Sequence, residues 1–441
     1  MAPPPLNALS ARLDDALVDF PPGRCVWVAL SGGLDSSLLL TLAVEACQRA
    51  GKPLAAIHIN HGLQAAAALF EQHCEALCQH LQVPLTVAHV TCDMESGKGV
   101  EAAAREARYA AFADHLPTGD VLWLAQHQDD QAETLLLAAL RGSGLRGLAA
   151  MPQKRQYRHL TLVRPWLTVD QQALRQVAES LRLDWVDDPT NAQCDADRNF
   201  LRHRILPVLE TRWASVRQQL ANVASRAAEA DRLLTDYALE ELETIRTRQG
   251  VLDVAVLLTR SLARQRLLVR TECQRLGLPT PPARRLENLL AQFTAAGDAQ
   301  VKVVWPGADA RIWQGALYLQ SPVPRVREGS DHPWCDQWRG EAPLKTPLGD
   351  AWFSVKAENT DVSAGTLSAT WRRGGERLTL ARRGRRELKR LLQEARLPPW
   401  ERDWVIVVWW LPEKGESQCV AAFHPPTGGY WVAAGWAVSR R

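Results

Sequence analysis

Residues 31–37 carry the residue types that bind a phosphate group in proteins. They read SGGLDSS and follow the apolar run CVWVAL at 25–30, a pattern that predicts a buried strand, a sharp turn and the start of a helix. Two glycines allow the turn and let a ligand approach the backbone. The free N–H groups at the helix start, with the hydroxyls of Ser31, Ser36 and Ser37, donate hydrogen bonds to an anion. The sequence therefore predicts a phosphate or pyrophosphate site.

Asp35 does not fit such a site alone, because a carboxylate repels a phosphate unless a cation lies between them. Asp129 and Asp130 form a second acidic group, in the segment HQDDQAET at 127–134. Mg²⁺ prefers carboxylate and phosphate oxygens, so the three carboxylates are candidates to hold it with a nucleotide. The alternative is that they only cap the helices that begin there, which is electrostatically favourable.

Two further groups are candidates for contact with a nucleotide. His58 and Asn60 stand in HINHG at 58–62, where the turn could press against adenine or ribose, although a histidine at a strand end is more often structural. Arg105 follows Glu101 by four positions and precedes Arg108 by three. Such spacing is typical of salt bridges along a helix, but beside a phosphate Arg105 would neutralise transferred charge.

Two basic segments are candidates for contact with nucleic acid. RNFLRHR at 198–204 contains Arg198, Arg202 and Arg204 and would alone be read as an exposed helix face. Residues 371–390 carry 9 basic and 2 acidic side chains, a net +7. With tryptophans nearby they suit RNA phosphates and base stacking. Disorder is the alternative for a charged run, and the interleaved leucines weaken it.

The elements that must position these residues alternate along the first half of the chain. Apolar strands are predicted at 25–30, 54–60, 84–90 and 121–127, with helices between them. Continuous apolar strands alternating with helices indicate a parallel sheet covered on both faces. Ligands of such sheets bind beyond the carboxyl ends of the strands. We therefore expect the segments 31–35, 58–61 and 127–130, and the loop before Val100, to face one crevice.

Composition narrows the class of protein. The chain has 441 residues, 46% hydrophobic and 23% charged, with a net charge of only +3, so nucleic-acid binding must be argued locally. The nine cysteines show no C-x-x-C spacing, which fits reduced thiols in a cytosolic protein. Neither the Walker-A motif nor G-x-G-x-x-G occurs. We expect no signal peptide, no membrane span and a cytoplasmic location.

The remaining chain predicts further domains. We expect an α/β catalytic domain at 1–212, a mainly helical domain at 213–322 closed by a small hairpin, a linker and the start of the C-terminal domain at 323–366, and a small α+β domain at 367–441. The region 142–166 is read as loop plus one strand, and residues 321–347 as a Pro-rich linker. The sequence leaves the oligomeric state open, with a homodimer as one candidate.

Together these motifs resemble the tRNA(Ile)-lysidine synthase family of PP-loop ATP pyrophosphatases. S-G-G-L-D-S after a strand resembles the PP-loop. Further similar segments follow in family order: HINHGL at 58–63, GVEAAAREARY at 99–109, HQDDQAETLLLAALRGSGLRGLAAM at 127–151, WVDDPTN and DRNFLRHRILP within 185–207, and WRRGGERL and KRLLQEARLPPWERD within 371–403. The resemblance spans most of the chain and is weakest in the helical middle region.

The resemblance implies a Rossmann-like parallel-sheet domain of the PP-loop type and an ATP-dependent ligase. Its cofactors would be ATP and Mg²⁺, and its partners L-lysine and tRNA(Ile) with a CAU anticodon. The wobble cytidine would be adenylated at its C2 oxygen, and lysine would then displace AMP to give lysidine, which switches decoding from AUG to AUA and charging from methionine to isoleucine.

The implied site residues fall into four groups. Catalytic roles fall to Asp35, Asp130, Arg105 and His127. Contacts with ATP fall to Ser31, Gly32, Gly33, Leu34, Asp35, Ser36, His58 and Asn60, and metal binding falls to Asp35, Asp129 and Asp130. Contacts with tRNA fall to Arg198, Arg202, Arg204, Arg372, Arg373, Arg382, Arg383, Arg385, Arg386 and Lys389.

The sequence departs from the family pattern at one notable position. Gln126 stands where the family usually has the first of two histidines, and a glutamine can hydrogen-bond but not titrate; Val100, where the family often has asparagine, is a milder difference. Two other readings compete with the ligase. One is tRNA thiolation on the same fold, whose familiar cysteine pairs are missing, and the other is a tRNA-binding module with a decayed nucleotide site, against which the intact acidic and glycine motifs argue.

Overall fold

The computed structural model describes residues 6–62, 67–90, 100–187, 196–247, 250–294, 301–322, 335–338, 340–346, 349–358 and 365–440. The chain divides into two compact units, Met1–Tyr237 and Ala238–Arg441. Each unit is described by itself below.

The first unit alternates strands and helices as predicted. Its elements are α1 Leu6–Val18, β1 Val26–Ala29, α2 Leu34–Ala50, β2 Leu54–Asn60, α3 Ala67–Leu81, β3 Leu85–His89, α4 Val100–His115, β4 Val121–Trp123, α5 Gln128–Leu140, α6 Leu145–Leu148, β5 Lys154–Tyr157, β6 Leu160–Val163, α7 Gln171–Ser180, α8 Asp197–Phe200, a π-helical turn Leu201–Ile205, and α9 Leu206–Arg212. Helix α10, Val216–Ile245, begins in this unit and continues into the second.

The strands form one six-stranded sheet in the order β3-β2-β1-β4-β6-β5. Neighbours from β3 to β6 pair in parallel, and β5 pairs antiparallel with β6 at the edge. The α/β fold class predicted from the sequence is thus confirmed. The region 142–166 differs from its prediction, because it contains helix α6 and the hairpin β5–β6 instead of a loop and one strand. β5 reads KRQY. Because most of its side chains are polar, the sequence there has no apolar run that would predict this edge strand.

Apolar side chains cover both faces of this sheet. On one face α1, α2 and α7 pack against the strands around Leu9, Leu38 and Trp166. On the other face α4 contributes Tyr109 and Phe112, which pack on strand residues such as Leu122 and Leu162. Because the strands are buried on both sides, their sequences read as continuous apolar runs.

The second unit contains helices α11 Val254–Leu258, α12 Leu262–Arg275 and α13 Ala283–Ala291 beside strands β7 Leu252–Asp253, β8 Val301–Trp305, β9 Ala308–Trp313 and β10 Ala316–Gln320. The strands form an antiparallel sheet in the order β7-β10-β9-β8. The prediction of a helical region closed by a small hairpin was therefore incomplete, because the hairpin continues as β10 and pairs with the two-residue strand β7.

The rest of the second unit is rich in strands. They are β11 Cys335–Trp338, β12 Leu344–Thr346, β13 Gly349–Ala351, β14 Phe353–Ala357, β15 Gly365–Trp371, β16 Arg377–Leu380, β17 Gly384–Glu387, β18 Ile406–Pro412, β19 Gln418–His424, β20 Gly429–Val432 and β21 Trp436–Arg440, with helix α14 Leu388–Glu394 and the 3₁₀ helix Pro399–Trp404. Five of the strands form a sheet in the order β11-β15-β18-β19-β20. The basic segment 371–390 is thus ordered as the end of β15, the hairpin β16–β17 and the start of α14.

In the part of the chain that the structure describes, no helix combines the length and the apolar character needed to cross a membrane.

Candidate functional site

A cleft lies at the carboxyl edge of the parallel sheet, where the strand order reverses. β1 and β4 are neighbours in the sheet, and the chain leaves them toward strands on opposite sides. Such a point is where open α/β sheets bind ligands. The cleft has a volume of about 1280 Å³, larger than a typical pocket for one small molecule, which is roughly 300–1,000 Å³.

The turn after β1 is shaped by its two glycines in different ways. Gly32 has φ +85°, and a Cβ there would lie 3.1 Å from Phe70 Cδ1 and 3.3 Å from Cys74 Sγ, so both conformation and space favour glycine. Gly33 precedes the first residue of α2, and a Cβ there would meet only Ser31 Oγ at 3.6 Å. The helix start carries no side-chain cap on Gly33, which leaves its N–H groups to an anion.

Serine hydroxyls hold this turn in place. Ser31 Oγ and Ser36 Oγ lie 2.9 Å apart, the Ser31 amide donates to Ser36 Oγ at 3.1 Å, and Ser36 Oγ donates to the Gly33 carbonyl at 3.1 Å. The loop is therefore preorganised before any ligand arrives. Val186 donates its N–H to the Gly32 carbonyl at 3.0 Å, which is a further contact that holds the turn.

His127 lies among three carboxylates. Its Nε2 is 3.6 Å from Asp35 Oδ2 and 3.6 Å from Asp130 Oδ2, and its Nδ1 is 3.9 Å from Asp129 Oδ1. The Asp130 carboxylate also accepts the backbone N–H of His127 at 3.0 Å, which caps helix α5. The structure thus brings together all four acidic and histidine residues predicted on the two neighbouring strand ends.

The charge state of this cluster follows from its burial and its ion pairs. Burial lowers the pKa of His127, but Asp130, Asp35 and Asp129 outweigh that effect and raise it to about 9. Burial raises the pKa of Asp130, but His127 and the arginines nearby hold it below its usual value. At neutral pH His127 is therefore an imidazolium that offsets the carboxylates.

Asp129 is held by a residue that the sequence reasoning missed. Arg217, in the first turn of α10, donates through Nη1 to Asp129 Oδ2 at 2.9 Å and through Nε to Glu210 Oε1 at 2.6 Å. The other Asp129 oxygen accepts the N–H of Gln171 at 3.3 Å. The pKa of Arg217 is raised, because burial is outweighed by Glu210 and Asp129. Both Asp129 oxygens thus already have donors.

Glu133 anchors two of the arginines predicted for tRNA. It is fully buried one turn after Asp130, and Arg202 donates to it through Nε at 2.6 Å and Nη2 at 2.9 Å, while Arg198 Nε lies 3.1 Å away. Arg202 Nη2 also lies 3.4 Å from Asp130 Oδ1. Burial raises the pKa of Glu133 despite these partners. Arg198 and Arg202 therefore face the cleft, whereas Arg204 is exposed.

His58 and Asn60 line the cleft but already have partners there. His58 is buried, and its Nδ1 lies 2.9 Å from the Leu30 carbonyl and 3.4 Å from Cys74 Sγ. Burial lowers the pKa of His58. Asn60 donates to Glu71 Oε2 at 2.6 Å and accepts the N–H of Gly62 at 2.9 Å. Both side chains thus stabilise the end of β2, and any contact with a nucleotide stays a prediction.

Arg105 projects from α4 into the same cleft. Its Nη2 lies 3.3 Å from Tyr109 Oη, and its guanidinium lies 4.9 Å from the centre of the Tyr109 ring. The side chain of Glu101, its proposed helix partner, lies outside the described residues, as does the loop 91–99 before Val100. Gln126, which stands where the family usually has a histidine, lines the cleft beside Ala125.

The carboxylates fit a shared Mg²⁺ only in part. Asp35 Oδ1 is buried and has no hydrogen-bond partner among the described residues, which suits an oxygen reserved for a cation. The described residues hold no group of three or more histidine, cysteine or acidic side chains arranged as a complete metal site. Mg²⁺ commonly uses one or two carboxylates together with substrate phosphates, so Asp35 and Asp130 are candidates for its protein ligands. Both Asp130 oxygens also accept hydrogen bonds, from the His127 amide and from Arg202.

The basic segment of the second unit presents most of its cations to solvent. Glu376 is buried and accepts the backbone N–H groups of Arg373 and Gly374 at 2.6 and 2.7 Å, which fixes the turn before β16. Arg372 is half-buried, with Nε 3.6 Å from Glu376 Oε2. The exposed predicted residues are Arg373, Arg382, Arg383, Arg385, Arg386 and Lys389.

Most of the predicted site residues of the first unit thus share one cleft. Its lining includes Ser31, Gly33, Leu34, Asp35, Ser36, His58, Asn60, Arg105, Asp129, Asp130, Arg198 and Arg202. His127 is buried behind it.

Family models match three parts of the chain. The PP-loop domain matches residues 6–209, the TilS substrate binding domain residues 252–318, and the TilS substrate C-terminal domain residues 367–415.

Whole-chain relatives support the same grouping. The tRNA(Ile)-lysidine synthase of Xanthomonas axonopodis pv. citri is 41% identical over 88% of each chain, and that of Alkalilimnicola ehrlichii is 41% identical over 88% of this chain and 87% of its own.

Among solved structures, the U34-tRNA thiolase NcsA from Methanococcus maripaludis is 16% identical, covers 51% of this chain and 78% of its own, and has a TM-score of 0.43.

Proposed function

The chain belongs to the tRNA(Ile)-lysidine synthase family, and on that premise we propose that it ligates free L-lysine to C2 of the wobble cytidine in the CAU anticodon of tRNA(Ile), at the expense of ATP. The observation that carries the proposal is the meeting of the turn 31–36 with His127 and Asp130 around one cleft. Adenylation of a weak nucleophile requires a turn that binds the phosphates of ATP and, at the same sheet edge, acidic residues that can hold a cation.

The proposed reaction has two steps. The C2 oxygen of the cytidine forms a bond to the α-phosphorus of ATP, and pyrophosphate leaves. The ε-amino group of lysine, after losing a proton, then forms a bond to C2, and AMP leaves with the former C2 oxygen. The products are lysidine in the tRNA, AMP and pyrophosphate.

Each cleft group has a role that its geometry supports. The free N–H groups at the start of α2 bind pyrophosphate, since they point at the turn and carry positive partial charge. Arg105 and Arg202 stabilise negative charge near the α-phosphate. Mg²⁺, held by Asp35 and Asp130, would offset the charge of the phosphates. His127, whose pKa these carboxylates raise to about 9, holds Asp35 and Asp130 close together.

The proposed tRNA contacts divide between the units. Arg198 and Arg202 pair with Glu133 at the cleft, which suits a role beside the reacting nucleotide. The exposed arginines of β17 and the β16–β17 turn carry dense positive charge, which suits phosphates of the tRNA backbone. Location in the cytoplasm and a homodimer are further proposals.

The proposal is tested by incubating the chain with ATP, Mg²⁺, labelled lysine and unmodified tRNA(Ile) carrying CAU. We expect label in the RNA and one equivalent each of AMP and pyrophosphate. A matched tRNA with UAU in place of CAU is the control and should remain unlabelled. ATP binding without any transfer of lysine to RNA would instead favour a tRNA-binding module, and transfer of sulfur would favour a thiolase.

A further inference from the structure

Arg164 is a buried cation behind the wall of the cleft. Its side chain is 1% exposed, although a guanidinium is always charged at neutral pH. It donates through Nη1 to the Pro152 carbonyl at 2.8 Å and through Nε to Gln126 Oε1. None of the ion pairs between described residues includes Arg164. The acceptors of its side-chain hydrogen bonds are thus neutral, and burial and the nearby Arg105 and Arg155 lower its pKa.

The sheet explains why Arg164 and Gln126 meet. β4 and β6 are parallel neighbours, with Leu122 opposite Leu162. As paired residues of neighbouring strands, Leu122 and Leu162 share the face that α4 covers. Side chains two positions apart along a strand also lie on one face. Gln126 and Arg164 continue these two rows beyond the carboxyl edge. The apolar packing ends there, and a polar pair takes its place.

The hydrogen bond fixes how the Gln126 amide is turned. An amide offers one acceptor oxygen and two N–H donors, and a guanidinium can only donate. The oxygen must therefore face Arg164. Since Gln126 lines the cleft, its Nε2 is the end left to face the substrate. Arg164 thus sets a neutral N–H donor at the sheet edge next to the phosphate turn.

Tyr109 extends the same support to a second donor. It is 6% exposed, it lies close enough to Arg164 to oppose the lowering of that residue's pKa by burial, and its hydroxyl lies 3.3 Å from Arg105 Nη2. Arg105 and Gln126 therefore stand on one buried polar base and both present donors to the cleft. Two neighbouring donors with an additional cation behind them favour a negatively charged oxygen of a ligand.

We propose that Arg164 is a positioning residue that holds the Gln126 amide as a donor to an oxyanion of a bound substrate, either a phosphate oxygen of the nucleotide or the carboxylate of the amino acid. The inference rests on the proposed function for the identity of these two substrates. It accounts for the glutamine at position 126, because a neutral donor at this site needs an acceptor at one end and N–H groups at the other.

The first test replaces the donor and keeps the shape. In Gln126→Glu both side-chain oxygens accept, so we expect the affinity for the recognised substrate to fall about tenfold or more. Gln126→His can accept with one ring nitrogen and donate with the other, and it should retain affinity within about threefold of the wild type. Gln156→Glu, on the exposed strand β5, is the matched control and should bind as the wild type does.

Separate measurements distinguish the two sources of the oxyanion. Calorimetric titration with ATP and Mg²⁺ in the absence of lysine measures nucleotide binding, and the KM for lysine is measured at saturating ATP and tRNA. A weaker ATP affinity alone assigns the phosphate, and a raised lysine KM alone assigns the carboxylate. If Gln126→Glu changes neither by more than about twofold, the proposal is overturned.

The second test asks whether Arg164 acts through Gln126. Arg164→Lys keeps the charge but loses the planar donor geometry, and we expect it to weaken the same substrate constant as Gln126→Glu. In a Gln126→Leu background the additional effect of Arg164→Lys should disappear. Equal effects of Arg164→Lys with and without Gln126 would mean a structural role only and would contradict the proposal. The exposed Arg158→Lys serves as control.

The proposed function and this inference can fail separately. If the wild-type chain binds ATP or lysine but transfers no lysine to tRNA, the ligase assignment fails. The comparison of Gln126→Glu, Gln126→His and wild type is then made on the two equilibrium dissociation constants, which still support or refute the donor role.

Discussion

Arg217 Nη1 lies 2.9 Å from Asp129 Oδ2, although the two residues are 88 positions apart in the chain. The arginine belongs to the first turn of α10, the helix that continues into the second unit. The Gln171 amide and Arg217 already donate to Asp129, whereas Asp35 Oδ1 has no hydrogen-bond partner among the described residues. Asp35 is therefore better placed than Asp129 to hold the proposed Mg²⁺. Asp129 instead ties the start of the long helix to the floor of the cleft.

Arg217→Gln is expected to destabilise the first unit. The Asp129 side chain is 9% exposed, and loss of Arg217 removes the cation that pairs with its Oδ2, although the Gln171 amide still donates to Oδ1. Because the Arg217 side chain is 21% exposed, we expect a loss of about 2 kcal/mol in the free energy of unfolding, less than for a fully buried pair. Chemical denaturation measures it. The exposed Arg212→Gln is the control, and restored stability in Arg217→Gln with Asp129→Asn would show that the pair is responsible.

Asp35→Ala is expected to stop pyrophosphate release while leaving tRNA binding nearly intact. Asp35 Oδ1 is the buried oxygen without a hydrogen-bond partner in the described part of the chain, so its loss removes a proposed metal ligand from the phosphate turn. We expect the rate to fall by at least about 100-fold, measured as pyrophosphate formed in a single turnover, with tRNA affinity measured by filter binding. Asp14→Ala on the exposed face of α1 is the control. Normal turnover in Asp35→Ala would rule out the metal role.

Replacing Arg382, Arg383, Arg385 and Arg386 by alanine is expected to weaken tRNA binding. All four are exposed on the β16–β17 hairpin. If each contacts one phosphate, the slope of log affinity against log salt should become shallower by roughly 3. Titrations at several salt concentrations measure it, with alanine at the exposed Arg49 and Arg158 as control. A slope equal to that of the wild type would mean that the hairpin faces away from the RNA.

The sequence predicted the position of the cleft well because the strands, and the residue types at their ends, can be identified from local sequence. The runs at 25–30 and 121–127 read as buried strands, and the rule for parallel sheets then places Asp35 near His127 without any knowledge of the side-chain geometry. The structure agrees in bringing Asp35, His127 and Asp130 within 3.6 Å contacts.

The features that sequence reasoning missed depend on distant contacts. Arg217 sits in an ordinary amphipathic helix start, and nothing local indicates Asp129 as its partner. Arg198 and Arg202 read as an exposed basic face, because the burial of Glu133 depends on tertiary packing. A signal was available in the spacing of Asp130 and Glu133, since residues three apart share one face of a helix. The charged Arg164 at the end of an apolar strand was a second signal of a buried polar contact.

The stability of the second unit is expected to fall between neutral and acidic pH because of His424. This side chain is fully buried at the end of β19, its Nδ1 lies 2.8 Å from Thr427 Oγ1, and its Nε2 lies 3.8 Å from Glu401 Oε2. Burial lowers the pKa of His424 to about 4. In the unfolded chain a histidine titrates near 6.5. As pH falls below that value the unfolded state binds a proton that the folded state does not, so unfolding becomes more favourable down to about pH 4.

The His424→Gln variant measures this contribution. The glutamine stays neutral, so the free energy of unfolding of the wild type should drop relative to the variant by about 2 kcal/mol between pH 7 and pH 5. Burial also raises the pKa of Glu401, which has the opposite dependence on pH. Because Glu401 lies 3.8 Å from His424, the comparison measures His424 together with its interaction with Glu401. Denaturant titrations at the two pH values provide the four free energies, and His80→Gln on the exposed side of α3 is the control. An equal change in wild type and His424→Gln would show that His424 is protonated as readily in the folded protein as in the unfolded chain.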